Sequence, residues 1–210
     1  LFLLTMAAAV LGIAVFLTVH KVYPTFTESL RHAAFNVVSI ATTTGFASVD
    51  YAQWPAFAPV LMLFLCCFAT CAGSTGGGIK MVRALILLKG ARRELKRIVH
   101  PRAVVPVTLG GAAVDANVLQ SVLAFMLIYG AVMVGATMLL LFSGLDVVSA
   151  FTAVIASINN TGPGLGQVGP AANYQGLSDF QTWVCTATML LGRLELFSIL
   201  VLFTGSFWRK

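Results

Sequence analysis

Long apolar stretches recur at Leu1–Val19, Trp54–Leu88, Val118–Phe142 and Phe180–Phe207. Each can cross a bilayer at about 20 residues per crossing. Backbone N–H and C=O groups in lipid must be satisfied within the protein, so such stretches fold as helices. Composition agrees, with 59% hydrophobic and 10% charged residues, where soluble domains carry about 25% charged. The chain therefore reads as an all-α integral membrane protein. Leu1–Val19 has the length of a spanning helix rather than a signal-peptide core, and no initiator Met or basic n-region precedes it. The expectation is a segment of something longer, entered at a transmembrane helix.

What lies between these stretches repeats. "TFTESLRHAAFNVVSIATTTGF" separates the first two and "SGLDVVSAFTAVIASINNTGPGLG" the last two. Thr25-x-x-Glu28 and Ser143-x-x-Asp146 both fit a helix-capping pattern. About a dozen mainly apolar or small residues follow, with a shared Ala-Phe step, and each run stops at a Thr-Gly pair, Thr44-Gly45 and Thr161-Gly162. A dozen helical residues rise roughly 18 Å, short of a roughly 30 Å hydrocarbon core. Each short helix is therefore expected to dip in from outside and turn back at a loop buried in protein or facing water. The repeating unit is spanning helix, short re-entrant helix, Thr/Gly loop, spanning helix.

The organisation expected is a first membrane repeat over 1–90, a basic linker over 91–116 and a second repeat over 117–210. In the first, a spanning helix covers 1–19, a pore helix 27–40, a loop 41–46 and a broken spanning helix 54–89. In the second, a spanning helix covers 117–142, a pore helix 146–158, a loop 159–164 and a spanning helix 180–207. The net charge of +6 is concentrated between Lys80 and Arg102 and at Arg209 and Lys210. By the positive-inside rule that segment and the C-terminus are cytoplasmic. Beside membrane helices this topological reading outweighs nucleic-acid binding. The first part of the linker could lie as a helix on the membrane surface, and "AVVPVTLGG" suggests an extended excursion or small turn. Cys66, Cys67, Cys71 and Cys185 lie in apolar helical stretches without zinc-ligand spacing and are expected to be small buried residues.

The loops "ATTTGF" (41–46) and "NNTGPG" (159–164) suggest ion chemistry. A helix entering by its N-terminus ends near mid-membrane at its negative dipole end. A cation can rest there if backbone carbonyls and Thr hydroxyls replace its hydration shell. Gly gives the backbone the freedom to turn successive carbonyls to one side. The alternative is a loop that only caps a short helix. Two lookalikes fail. "GLGQVG" follows a helix rather than a strand, so it is not a dinucleotide fingerprint. The Asn159-Asn160-Thr161 sequon would lie at buried depth.

"CAGSTGGGIK" (71–80) interrupts the second apolar stretch. Gly73, Gly76, Gly77 and Gly78 each cost about 1 kcal/mol against Ala in a helix, so the helix is expected to break there. It is no Walker A loop, since Ile79 separates Gly78 from Lys80 and Met81 replaces Ser/Thr. Two uses are open: a small-residue packing surface, or a flexible intramembrane loop of Gly73, Ser74, Thr75, Gly76, Gly77 and Gly78 that blocks or opens a path. Arg193 and Glu195 sit mid-way along the last apolar stretch, where charges are costly and usually face a cavity or partner. Arg193 would be an electrostatic barrier to cations, a structural cap for freed carbonyls, or both.

"SIATTTGFASVDYAQWP", "CAGSTGGGIKMVRALILLK", "RRELKRIVHPRAVVPVTLGG" and "SINNTGPGLGQVGPAANY" with the following "LGRLELFSILVLF" together resemble the potassium-uptake membrane subunits of the Trk/Ktr/HKT superfamily, in particular its TrkH/TrkG branch. The resemblance covers essentially the whole chain. It implies four helix–pore-helix–helix repeats around one pore, of which this chain looks like the third and fourth. It also implies a potassium selectivity filter at Thr43, Thr44, Gly45 and Phe46 with Asn160, Thr161, Gly162 and Pro163, potassium being held at Thr43–Gly45 and Asn160–Gly162. A gate at Gly73–Gly78 with a pore-facing Arg193 follows, as do a homodimer, a cytoplasmic nucleotide-sensing TrkA-like ring, and a bacterial inner-membrane location with a cytoplasmic C-terminus. Asn159-Asn160 stands where the first loop has Thr42-Thr43, a departure common in the family's fourth repeat.

The function expected is potassium uptake without covalent chemistry or cofactor, potassium being the substrate. A broken-helix, sodium- or proton-coupled solute transporter is the nearest rival. A membrane enzyme acting on a phosphate substrate would need a nucleophile–base pair or metal cluster that the loops lack.

Overall fold

A computed structural model describes residues 2–68, 70–71, 77–103, 105–194, 201 and 208. Seven α-helices account for most of them: α1 Phe2–Val19, α2 Phe26–Ala41, α3 Phe57–Phe68, α4 Met81–Val99, α5 Ala116–Phe142, α6 Val147–Ile158 and α7 Asp179–Arg193. α1 and α5 have the length and apolarity to cross a membrane. The 16 residues of α2 and 12 of α6 rise only about 24 and 18 Å.

Local chemistry sets where the helices start. Thr25 Oγ1 accepts from Glu28 N–H at 3.3 Å and opens α2. α6 starts differently from the sequence expectation, because Ser143 is not its cap. Asp146 is, accepting from Ser149 N–H at 3.0 Å. Ser143 instead closes α5, which runs on to Phe142 and turns at Gly144 (φ +88°). Two overlapping polar patterns compete there, and the left-handed turn that Gly144 permits decides for Asp146. Ser178 and Gln181 form a reciprocal capping box at α7.

The helices pack as two similar groups. α1, α2 and α3 enclose one core containing Ile13, Leu17, Val37, Ile40, Tyr51 and Met62. α5, α6 and α7 enclose another around Leu140, Ala150, Val154, Val168 and Cys185. Ile155 of α6 and Leu165 beyond it enter the first core, joining the groups. Large apolar side chains remain outside, among them Phe142 (90% exposed), Leu127 (74%) and Trp183 (71%), as expected of helices whose outer faces meet lipid or further helices.

Three further features bear on the expectations from sequence. α4 continues past 89 to Val99, so the first part of the basic linker is helical. The chain is not purely helical, since Thr108–Leu109 (β1) and Ala112–Ala113 (β2) form an antiparallel hairpin around Gly110 and Gly111 at positive φ. Cys66, Cys67 and Cys185 are buried as expected, but Cys71 is exposed. It lies beyond the end of α3, where the chain has left the helix.

Candidate functional site

The ends of α2 and α6 close with the same pair of backbone bonds. Thr43 N–H donates to Ile40 O at 3.0 Å and Thr44 N–H to Ser39 O at 2.8 Å. In the second group Asn160 N–H donates to Ser157 O at 3.0 Å and Thr161 N–H to Ala156 O at 2.9 Å. This paired closure is the Schellman motif, and it satisfies carbonyls that a helix end otherwise leaves open. It also requires a left-handed residue just past the helix, supplied by Thr43 (φ +57°) and Asn160 (φ +55°). Two residues on, Gly45 (φ +85°) and Gly162 (φ +105°) are left-handed again. The same alternation of backbone hand therefore occurs in both loops.

The loops also meet. A Cβ on Gly45 would collide with the Thr161 carbonyl oxygen. On the way out of each loop the chain is pinned to its short helix by different residues doing the same work. Buried Asn36 accepts from Ser48 N–H at 3.1 Å, and buried Thr152 Oγ1 accepts from Leu165 N–H at 2.9 Å.

The hydroxyls of the first loop divide their tasks. Thr42 Oγ1 donates its one proton to Val38 O at 2.7 Å. The 2.9 Å contact between Thr42 Oγ1 and Thr44 Oγ1 must then be donated by Thr44. That leaves the lone pairs of the exposed Thr44 oxygen available. Phe46 is 68% exposed, and Thr161 is buried. Gly162 O accepts from Tyr174 Oη–H at 2.8 Å, so that carbonyl already has one protein partner.

Beneath the second loop, Gly77 and Gly78 press on Asn159. A Cβ at Gly77 would lie 2.7 Å from Asn159 O, and one at Gly78 would meet Asn159 Oδ1. Ile79 N–H donates to Cys67 O at 2.7 Å and Met81 N–H to Thr70 O at 2.8 Å, so this backbone runs beside the end of α3. Gly73, Ser74, Thr75 and Gly76 lie outside the described residues, as does Glu195. Arg193 ends α7 and is exposed. Before it, Gly192 is approached so closely by Ile158 O that no Cβ fits, and Asn160 Nδ2 donates to Met189 O at 3.2 Å. α7 is thereby fixed against the end of α6.

Of the expected site residues, the structure brings Gly45 and Thr161 together and sets Gly77 and Gly78 against the helix end before Asn160. Arg193 is exposed at the end of α7. Sequence reasoning placed Asn159 in the second loop and Cys67 among small buried residues without giving either a role at the site, and it did not single out Tyr129, Tyr174 or Gly192. Only the twinned Asn159-Asn160 carried a local signal.

Two helices of bilayer-spanning length and apolarity, with two short helices ending in apposed left-handed loops, make this a helical protein of the membrane class. The family model described as "TrkH: Cation transport protein" matches residues 1–210, and the chain belongs to that family. It is 45% identical over 191 residues to the Trk system potassium uptake protein TrkH of Salmonella typhimurium, covering 91% of this chain and 39% of the relative. It is 38% identical over 182 residues to TrkG of Escherichia coli, covering 87% and 37%. The crystal structure of the potassium transporter TrkH from Vibrio parahaemolyticus superimposes with a TM-score of 0.92 at 43% identity, covering 99% of this chain and 44% of that one. The chain thus spans about two fifths of the length of these relatives.

Proposed function

We propose that this chain furnishes two of the four repeats of a potassium-uptake pore. In this reading α2 and α6 are pore helices and the two loops are half of a selectivity filter. Thr43–Phe46 and Asn160–Pro163 supply the ring of oxygens, with potassium held at Thr43, Thr44, Gly45, Asn160, Thr161 and Gly162. The observation that carries it is the repeated left-handed pair, Thr43 with Gly45 and Asn160 with Gly162, in loops that touch. Alternating backbone hand turns successive carbonyls toward one side, which is what dehydrating a cation needs. The available lone pairs of Thr44 support it further. The relatives' names as Trk potassium uptake proteins support potassium as the ion.

Gly73–Gly78 would form the gate with Arg193 as a cation barrier in the path. The whole assembly would be a homodimer in lipid, in the bacterial inner membrane with its C-terminus cytoplasmic. A TrkA-like ring would dock on the basic cytoplasmic side, where α4 presents Arg92, Arg93, Lys96 and Arg97. The test is rubidium flux into liposomes by the complete four-repeat protein, with Gly45 or Gly162 changed to Ser or Asp. Loss of flux or of potassium preference is expected. Unchanged flux and preference refute the filter.

A further inference from the structure

Asn159 is fully buried, yet its carboxamide reaches four separate parts of the chain. Nδ2 donates to Ile155 O at 2.9 Å in its own helix and to Cys67 Sγ at 3.4 Å in α3. Oδ1 accepts from Tyr129 Oη–H at 3.2 Å in α5. The same oxygen occupies the place where a Cβ on Gly78 would stand, and the Asn159 backbone carbonyl does the same for Gly77. Both amide protons are committed, and the oxygen that accepts from the phenol also lies against the bare Gly78 backbone.

This arrangement fixes the amide's orientation. Reversed, it would set oxygen against the Ile155 carbonyl and leave the Tyr129 hydroxyl without its acceptor, a costly state for buried polar groups. It also explains why the glycines must be glycines here. Gly78 sits at φ +86° and has Cys67 O 2.8 Å from its absent Cβ as well as Asn159 Oδ1 beside it. The two glycines fit as a key against one residue, and that residue directly precedes the left-handed Asn160 that begins the second loop. Tyr129 and Ile79 pack in one apolar cluster with Phe125 and Ile158, so the dock has a rigid wall behind it.

We propose that Asn159 is a latch, a positioning residue that couples the docked Gly77–Gly78 backbone to the second Thr-Gly loop. The inference rests on the reading of those loops as a filter and of the glycine segment as a gate. With the amide network intact, the glycine backbone is held against the end of α6. Withdrawal of Gly78 removes the contact that closes one side of Oδ1. Conversely, rotation of the Asn159 side chain drives an atom into Gly78. The two elements therefore bias one another reciprocally, as any coupled pair must.

The test uses the complete protein in liposomes and measures basal rubidium flux and the potassium-to-sodium preference together. Tyr129→Phe removes only the hydroxyl that holds Oδ1, and Gly78→Ala pushes the glycine backbone off it. Each is expected to raise basal flux by about fivefold, the population shift that one hydrogen bond of ordinary strength supplies, with ion preference unchanged. The double variant should rise no further than the larger single one, because both release the same contact. Additive effects, unchanged flux, or altered preference at unchanged flux in Tyr129→Phe would each overturn the latch. Gly45→Asp, made in the same preparation, separates the two ideas. If it leaves flux and preference intact the filter reading has failed, whereas its loss of flux beside an additive Tyr129 and Gly78 pair means that only the latch has.

Discussion

Gly45 and Gly162 occupy matching places, but alanine at the two should have unequal consequences. Both residues are left-handed, at φ +85° and +105°, and an L side chain there costs about 1–2 kcal/mol. Among the described residues, none beyond its chain neighbours comes within 4 Å of a new Cβ at Gly162, whereas at Gly45 the Cβ collides with the Thr161 carbonyl. That neighbour is backbone, held by the bond from Thr161 N–H to Ala156 O at 2.9 Å, so it cannot swing aside as a side-chain tip would. Gly162→Ala therefore carries strain alone, and about 1.4 kcal/mol of it corresponds to a tenfold loss. Gly45→Ala adds displacement of two oxygen-bearing loops from one another, and the account expects at least about a hundredfold loss, some 2.7 kcal/mol on the same scale. The assay is initial rubidium uptake into liposomes, normalised to protein inserted. Equal losses, or a milder effect at Gly45, would refute the claim that the loops support each other through this contact.

Gly192→Ala should lower the thermal midpoint in detergent, since overpacking a close approach costs about 1–3 kcal/mol or more and Ile158 O occupies the space. Gly130→Ala, where among the described residues nothing outside the nearby backbone of its own helix comes within 4 Å of a new Cβ, should be neutral or stabilising by up to about 1 kcal/mol. Thr43→Asn, which places in the first loop the residue type the second already uses, should raise the midpoint by relieving a β-branched left-handed residue; a fall would show that the Thr43 side chain holds the loop. The bond from Ser149 N–H holds the Asp146 carboxyl below the usual carboxylate range. Its stabilisation is therefore complete above the unfolded value of about 3.9 and lost as pH falls through the lower folded value. Asp146→Asn should flatten that part of a midpoint-versus-pH curve, while Asp146→Ala should cost about 1 kcal/mol at neutral pH.

The elements that a reader could take from the sequence are those encoded within a few residues. α2 and α6 are legible because apolar runs too short to span end at Thr-Gly pairs, and their ends obey the same hydrogen-bond pattern. The interruption between α3 and α4 is legible from clustered glycines. The cap of α6 was ambiguous because Ser143 and Asp146 are both good caps, and the choice depends on where α5 stops. Asn159 was illegible as a hub, since its partners Tyr129 and Cys67 lie on other helices. Gly192 looks like any helical glycine until Ile158 O is placed beside it. Tyr174 likewise reaches Gly162 O only through the fold of the loop between them.

The central claim is that potassium rests against these two loops. Rubidium anomalous diffraction from crystals of the complete protein tests it most directly. The account predicts a peak in direct coordination with oxygens of Thr43–Phe46 and Asn160–Pro163, and its disappearance in Gly45→Asp. A rubidium peak away from both loops, or one that persists unchanged in Gly45→Asp, would contradict it.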